Sequence, residues 1–387
     1  MPSAVCRQCL AVGVLLGVAA SAAQRAQAAE WTIAPTLTST LDNETNRTLS
    51  RDSQPSQSAT LAANVQFVRK TESLELRIAP QLRWQRFSSS SYGDVLDRSL
   101  IAALDWSLER SKLEVTGAAV VESTLTAELA QTGITNSNTY RRDNQLSAAW
   151  SYAQTERTQL ILQAGYQNVS YYGTQVAPLL ILTGYRYPSA SIGEQFSLSE
   201  RITLTPSAFT DQLLSRTIEN DSRESGARLT LGASLSERTR LDVSVGATMR
   251  SIAGTNSTGS TEAVTFSHAT QSASFSLAYS RGLVPYGSGI FVQQQQLTLS
   301  GSYSVSERVS LDASISRTEQ QSVLVSPGTT RRTYSGGTAG VNWRAFETCA
   351  FRAEIGLNQS ESFGEPVKSW KSSVSVVWTP APQSTSR

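Results

Sequence analysis

The chain alternates between apolar and polar residues over many short stretches. From Val309 it reads Val-Ser-Leu-Asp-Ala-Ser-Ile-Ser, and the stretch that begins at Leu241 alternates in the same way. Successive side chains on a β-strand point to opposite faces, so each stretch would have one apolar face and one polar face. A helical period does not explain these stretches. The pattern predicts an all-β protein made of many half-buried strands.

A short polar motif, Glu-Arg-x-x-Leu, separates several of the alternating stretches. It occurs five times, and its copies begin at Glu109, Glu156, Glu200, Glu237 and Glu307. A fixed polar turn between two alternating stretches indicates a repeated β-hairpin. We therefore interpret each copy as a short turn in which Glu and Arg contact water and Leu begins the next strand.

The spacing of the motif indicates three further turns. The last two copies begin 70 residues apart, about twice the usual interval, and residues 268–271, which begin with His268, are the best candidate for a turn between them. Degenerate turns are expected at residues 70–72 and 347–348. Eight short turns, with one additional strand at each end, predict 18 strands, and 16 strands is the alternative count.

The connections between these hairpins are longer and rich in Asn, Gly, Ser and Thr. They include residues 42–57, 122–140, 252–261, 285–289 and 325–330. Short turns at one end and long loops at the other are typical of a closed antiparallel transmembrane β-barrel, which we predict as the fold class. A β-solenoid, a propeller and a tandem array of sandwiches also alternate, but none of them requires outward faces that are apolar along nearly every strand.

The N-terminus predicts export from the cytoplasm. Residues 1–28 are typical of a signal peptide, with Arg7 before an apolar run and Ala26-Gln27-Ala28 as the cleavage signal. After this segment no stretch approaches the roughly 20 apolar residues of a spanning helix. We expect a barrel over residues 29–378 and a C-terminal tail over residues 379–387. The predicted location is the outer membrane of a Gram-negative cell.

The last strand and the aromatic residues support this location. Residues 370–378 alternate and end at Val376, Val377 and Trp378, which resembles the signal by which outer-membrane barrels reach the barrel assembly machinery. Aromatic side chains near strand ends favour the interface with outer-membrane lipid. The candidates for such girdles are Trp84, Trp106, Trp150, Tyr152, Tyr171, Tyr172, Tyr185, Tyr187, Trp343 and Trp378.

The polar face of the strands predicts the lining of the lumen. The candidate positive residues are Arg77, Arg83, Lys112, Arg228, Arg250 and Arg352, and the negative ones are Glu75, Asp105, Glu114, Asp242, Asp312 and Glu354. Six charges of each sign predict weak ion selectivity, because a selective pore carries rings of one sign. We expect few aromatic residues on this face and no inserted helix or plug domain. The loop at residues 122–140 is the best candidate for a constriction.

Catalytic and cofactor chemistry finds little support in the sequence. His268 is the only histidine and Cys349 is the only cysteine after the signal peptide, so that a usual transition-metal site is not expected. There is no phosphate-binding glycine-rich motif and no basic stripe for nucleic acid. We therefore expect no catalytic residues, no cofactor and no enzyme activity.

The C-terminal third resembles the β-barrel porin family found with exopolysaccharide and PEP-CTERM/exosortase systems. The resemblance rests on Ala278-Tyr279-Ser280-Arg281-Gly282, on the Gly287-Ser288-Gly289 loop and on the hairpin at residues 297–311. It implies an outer-membrane conduit for a secreted polysaccharide that works with a periplasmic polysaccharide export protein.

Four hypotheses for the function follow from these patterns. The main prediction is a channel for the secretion of an exopolysaccharide, and a general or nutrient diffusion porin is the first alternative. An outer-membrane barrel enzyme is the second alternative, and its main version depends on His268. A structural or adhesive barrel is favoured if loops fill the lumen.

Overall fold

The chain folds into one closed β-barrel. A computed structural model describes residues 30–386, except for 52–53, 90–91, 130–138, 174–181, 217–220, 253, 324–330 and 363–364. The predicted signal peptide lies outside the described residues. Within them, 18 long antiparallel strands form a ring in which each strand pairs with its neighbours along the chain. The prediction of 18 strands is confirmed, and the alternative of 16 is not.

The ring contains strands of 13 to 16 residues. Their bounds are β1 Glu30–Glu44, β2 Ser56–Lys70, β3 Leu74–Phe87, β4 Val95–Ser107, β5 Ser111–Ser123, β6 Thr139–Ala153, β7 Thr158–Gly173, β8 Tyr185–Ser197, β9 Ile202–Ser215, β10 Ser222–Ser236, β11 Thr239–Ile252, β12 Thr255–Ala269, β13 Ala273–Pro285, β14 Phe291–Ser304, β15 Val309–Ser322, β16 Arg331–Phe346, β17 Cys349–Ser362 and β18 Glu365–Trp378. A single-turn helix, α1 (Thr124–Ala127), follows β5.

The first and last strands close the barrel. Eight residue pairs, from Leu37↔Trp378 to Glu44↔Lys371, join β1 to β18. A short additional strand, β19 (Gln383–Ser386), then pairs with the beginning of β1. The segment predicted as a C-terminal tail thus contributes four residues to the sheet, where they cover the part of β1 that β18 does not reach.

All eight predicted short turns lie at one end of the barrel, which we call the short-turn end. Hydroxyl groups stabilise several of them, because an oxygen near the start of the turn accepts from backbone N–H groups ahead of it. Ser306 Oγ accepts from Val309 N at 3.1 Å, and Ser199 Oγ accepts from Ile202 N at the same distance. The candidate turn at His268 is displaced by two residues, because β12 continues to Ala269.

The opposite end, the long-loop end, contains most of the long connections. The predicted loop at residues 252–261 is an exception and this prediction was wrong. Residues 253 and 254 alone separate β11 from β12, and the strands pair from Ile252↔Thr255 onwards. Gly254 has a φ of +77°, a conformation that favours glycine and permits this tight reversal.

Strand register divides the barrel into an outer and an inner face. The outer face contains large apolar side chains in the positions that alternate with the polar ones, such as Leu41, Met249 and Ile355, which are 66%, 69% and 62% exposed. Seven predicted girdle residues share this face near the strand ends: Trp84, Trp106, Trp150, Tyr152, Tyr172, Trp343 and Trp378.

Three predicted girdle residues were assigned wrongly. Tyr171, Tyr185 and Tyr187 occupy the alternate register and lie on the inner face. Tyr185 is only 3% exposed, and Tyr187 packs edge-on against Phe291 with ring centroids 6.0 Å apart. Strand propensity does not separate a lipid-facing tyrosine from an interior one, because a single shift of register exchanges the two faces.

The wall divides at one seam near the long-loop end. Pairing between β12 and β13 stops at Glu262↔Arg281, whereas pairing between β13 and β14 continues to Pro285↔Phe291. β13 therefore separates from β12 beyond this pair while β14 stays paired with β15, and the tip of the β13–β14 hairpin inclines into the barrel. Separately, none of the described helices is long and apolar enough to cross a membrane.

Candidate functional site: a constriction inside the barrel

The register places all twelve predicted lumen residues on the inner face. For example, Glu75 and Arg77 alternate with the outward Leu76, and Arg352 and Glu354 alternate with the outward Phe351 and Ile355. Most of these charges pair with one another. Arg77 donates to Glu75 and Lys112 to Glu114 along single strands.

Three of the predicted residues form a larger network that spans β15, β16 and β17. Arg352 Nη2 lies 3.0 Å from Asp312 Oδ2 and 2.7 Å from Glu354 Oε2, and Asn342 donates to Asp312 at 2.7 Å. Pairing of this kind neutralises the wall locally, since among the described residues five of the six predicted cations, all except Arg228, have a carboxylate within ion-pair distance. The inner face is thus polar without a ring of one sign of charge.

The residues with the closest packing lie at the long-loop end, where the β5–β6 connection enters the lumen. Ser123 Oγ accepts from Leu125 N at 3.3 Å and caps α1. Leu125 packs with Phe87 and Val95 against the inner wall. The described part of the loop that was predicted to form a constriction, residues 124–129, thus lies inside the barrel. The only helical segment of the described residues is this single turn.

Glu128 joins this loop to the wall formed by β6 and β7. Its side chain is fully buried, and Tyr171 Oη donates to Glu128 Oε1 at 2.8 Å. Arg141 Nε lies 3.6 Å from the same oxygen, and Arg141 Nη2 donates to Asp143 Oδ2 at 2.8 Å. Arg141 and Asp143 are only 6% and 5% exposed. A dense cluster of both charge signs therefore occupies this side of the lumen.

The loop also contacts the opposite wall. Arg332 of β16 donates from Nη2 to the backbone oxygen of Leu129 at 2.7 Å. Since β6 and β16 are ten strands apart in a ring of 18, this bond connects nearly opposite walls. Tyr286, from the β13–β14 loop, hydrogen-bonds to Arg332, and burial raises the pKa of Tyr286 while the nearby guanidinium partly offsets the effect. We name Glu128, Arg141, Asp143, Tyr171, Tyr286 and Arg332 the constriction.

An apolar cluster holds the β13–β14 hairpin inside the barrel. Phe291 is fully buried and packs with Val169, Leu213 and Leu283, which come from β7, β9 and β13. Thr183 N donates to Gly287 O at 2.7 Å, which joins the hairpin loop to the segment before β8. The expectation that few aromatic residues face inward was wrong, because buried tyrosine and phenylalanine side chains build much of this end.

Sequence reasoning included Glu128 only as part of the loop at residues 122–140, assigned Tyr171 to the outer face and did not identify the other four residues of the constriction. It did not list Arg141 and Asp143 as lumen candidates, although they repeat the i,i+2 charge pairing seen in Glu75 and Arg77 and continue the inward register of β6. This alternation could have identified Arg141 and Asp143 as inward-facing residues. No local signal identifies Arg332 or Tyr286, since Arg332 contacts Leu129, which is 203 positions earlier, and Tyr286 contacts Arg332.

The only histidine of the chain lies far from this cluster. His268 is on the outer face near the short-turn end, and its Nδ1 lies 2.9 Å from Thr239 Oγ1. In the part of the chain that the structure describes, no carboxylate hydrogen-bonds to it and no group of three His, Cys, Asp or Glu residues could hold a metal ion. The main version of the enzyme hypothesis therefore lacks its base in a suitable position.

The fold and the two faces together define a class of protein. The closed antiparallel ring pairs each strand with two neighbours along most of its length, apart from the seam between β12 and β13. Its apolar outer face with aromatic residues near both ends matches the hydrocarbon core and interfaces of a bilayer. The chain is an integral transmembrane β-barrel of the Gram-negative outer membrane.

Comparison with solved structures finds outer-membrane porins that share the barrel. Pseudomonas aeruginosa OpdQ has 10% identity and a TM-score of 0.48 over 91% of this chain and 99% of its own. Acinetobacter baumannii OccAB2 has 7% identity and a TM-score of 0.49 over 91% and 98%. P. aeruginosa OccK7 (OpdD) has 13% identity and a TM-score of 0.47 over 91% and 99%. This likeness concerns the barrel as a whole, and no solute or partner follows from it.

Comparisons of sequence add no family. No protein-family model matches the chain, and no curated protein matches it. The predicted association with exopolysaccharide and PEP-CTERM systems finds no support in these comparisons.

Proposed function

We propose that the protein is a diffusion porin for small hydrophilic solutes and that the constriction sets the size of what passes. The observation that carries this proposal is the bond from Arg332 to Leu129 O, which ties an inserted loop to the far wall. A wide tube for a polymer would not require such a bridge. The twelve residues predicted to line the lumen would form the wall of the channel on the two sides of the constriction.

The charges at the constriction favour solutes with little net charge. Arg141 and Arg332 are positive, Glu128 and Asp143 are negative, and tyrosine hydroxyls lie between them. A passage with both signs of charge repels neither cations nor anions strongly, whereas a ring of one sign selects. Small zwitterionic or polyhydroxylated solutes are the class that this arrangement suits.

Conductance in planar bilayers tests the proposal. We expect the wild type to form small, constitutively open channels with a cation-to-anion permeability ratio near 1. Arg332→Ala removes both the bridge and a positive charge, so the conductance should rise and selectivity should move towards cations. Arg331→Ala is the matched control, because this neighbour faces outward and should leave both quantities unchanged.

Two outcomes would contradict the proposal. If neither the wild type nor a variant lacking residues 124–138 conducts ions, the protein is not a channel and the structural or adhesive hypothesis gains. If both conduct equally, the inserted loop does not limit flow. The exopolysaccharide conduit and its periplasmic export protein remain predictions of the resemblance, which a deletion strain with unchanged polysaccharide secretion would eliminate.

A further inference from the structure

The outer face bears a belt of basic residues near the long-loop end. Register places nine basic residues there: Arg86, Arg98, Arg142, Arg186, Arg223, Arg281, Arg317, Arg331 and Lys368. Arg281 is half-buried, and the other eight are exposed. We name this set the outer belt. Each follows the outward register of its strand, as Arg98 does between the exposed Leu96 and Leu100.

The belt has no counterpart at the short-turn end. Among the described strands, the outward charges of that half are Arg69, which stacks over Trp31 at 5.4 Å, and Glu194. The belt also outnumbers the acidic residues in its own half, which are Glu262, Glu319 and Glu361. The outer face is thus strongly cationic at one membrane interface and nearly neutral at the other.

The acidic residues neutralise only one side of the belt. Glu319 accepts from both Arg317 and Arg331, and Glu262 pairs with Arg281 at 3.3 Å. On β3 to β10, in contrast, the five arginines Arg86, Arg98, Arg142, Arg186 and Arg223 have no carboxylate within ion-pair distance among the described residues. Guanidinium groups that lack a carboxylate at a membrane interface attract anionic groups in the plane of the lipid.

Two of these arginines are placed to share a partner. Arg98 and Arg142 both pair in register with Val121 of β5, one from each side. Adjacent strands are about 4.8 Å apart, so their Cα atoms are roughly 10 Å apart at one height. Arg142 lies over the Tyr172 ring at 5.5 Å, which restrains its guanidinium at the interface. Guanidinium groups bind phosphate oxygens with two parallel hydrogen bonds.

We propose that the outer belt, with Arg98 and Arg142 at its centre, binds the phosphate groups of the phosphorylated glycolipid of the outer leaflet. The location argues for this partner, because the long loops of such barrels extend outside the cell and the belt lies just below them. A soluble anion has no reason to bind on the membrane-facing side. The proposal does not depend on whether the barrel is a channel.

Lipid binding by the purified full-length protein tests the proposal. Native mass spectrometry in detergent would measure bound diphosphoryl lipid A for the wild type and for Arg98→Gln/Arg142→Gln. Each basic residue at an anionic membrane surface changes affinity by roughly fivefold, so the double variant should bind about 25-fold more weakly. Arg69→Gln, an outward arginine of the other end, is the matched control and should bind like the wild type.

Three other ligands test whether the outer belt recognises the phosphate groups of the glycolipid. Dephosphorylated lipid A and phosphatidylglycerol should each bind at least tenfold more weakly than the diphosphoryl form, and inorganic phosphate should not displace it. Equal binding of any one of them, or equal binding by the double variant, overturns the proposal. Heat-modifiable migration in gel electrophoresis verifies that each variant is folded. If the double variant does not fold, the two single Arg→Gln variants are compared in its place.

Discussion

At the scale of the residue, small polar side chains explain the repeated turn motif. The hydroxyl that precedes Glu-Arg accepts from the backbone N–H groups of the turn, as at Ser236, where Oγ accepts from Arg238 N at 3.2 Å. Threonine takes this place elsewhere, as Thr155 and Thr270 do. The charged Glu and Arg side chains are exposed, so the motif marks turns and not a binding site.

Loss of one such hydroxyl should weaken the barrel slightly. In Ser306→Ala the N–H groups of Arg308 and Val309 lose their side-chain acceptor, and water replaces it because the turn is exposed. We expect a loss of about 0.5–1 kcal/mol in the free energy of unfolding, measured by urea titration in lipid vesicles. Ser302→Ala, on the inner face two pairs from the turn, lacks this capping role and should have a smaller effect. An equal loss in both variants would argue against the capping account.

At the scale of the element, the β13–β14 hairpin decides the shape of the lumen. Its loop can approach β9 because Gly289 has a φ of +76° and no side chain. A Cβ at this position would lie 2.5 Å from Ser215 Oγ and 3.1 Å from Thr183 Cγ2. The sequence identifies 287–289 as a loop but not its direction, since departure from the wall depends on where pairing with β12 stops.

Gly289→Ala should therefore loosen the hairpin. The left-handed backbone costs an alanine about 1 kcal/mol, and the close contacts add to this cost. If the proposed channel exists, its mean conductance should rise and become noisier, and the loop should become more sensitive to protease. Gly337→Ala is the control, because its added Cβ meets only ordinary contacts at 3.7 Å or more. Unchanged conductance and protease resistance in Gly289→Ala would show that the contact does not hold the hairpin.

At the scale of the whole molecule, the outer face of the barrel contacts lipid and the inner face contacts water. Ile355 is 62% exposed on the outer face of β17, whereas Ser373 of β18 lies on the inner face at nearly the same height. An arginine in the middle of the lipid-facing surface costs roughly 2–4 kcal/mol, while lumen positions tolerate charge. Urea unfolding in vesicles should therefore find Ile355→Arg destabilised by that amount and Ser373→Arg almost unaffected. The reverse order would invert the assignment of the faces.

The pairing of strands in the whole barrel explains why only some of its inward-facing residues could be predicted from the sequence. Glu75, Arg77 and the other ten lumen candidates follow from alternation, which a strand imposes on every second residue. The buried tyrosines follow the same alternation, but their aromatic character suits a membrane interface equally well, and Tyr171, Tyr185 and Tyr187 were assigned to the wrong face. Register decides such cases, and register is a property of paired strands.

The sequence by itself determined the ring: eight turn signals, 18 alternating strands and the two faces that follow from them. It could do so because turns and strand alternation arise from interactions between residues near one another in the chain. The tertiary structure alone decided the interior of the long-loop end, where Arg332 meets Leu129 and Phe291 meets Tyr187. These contacts join segments separated by about 100 to 200 residues, and only closure of the barrel brings them together.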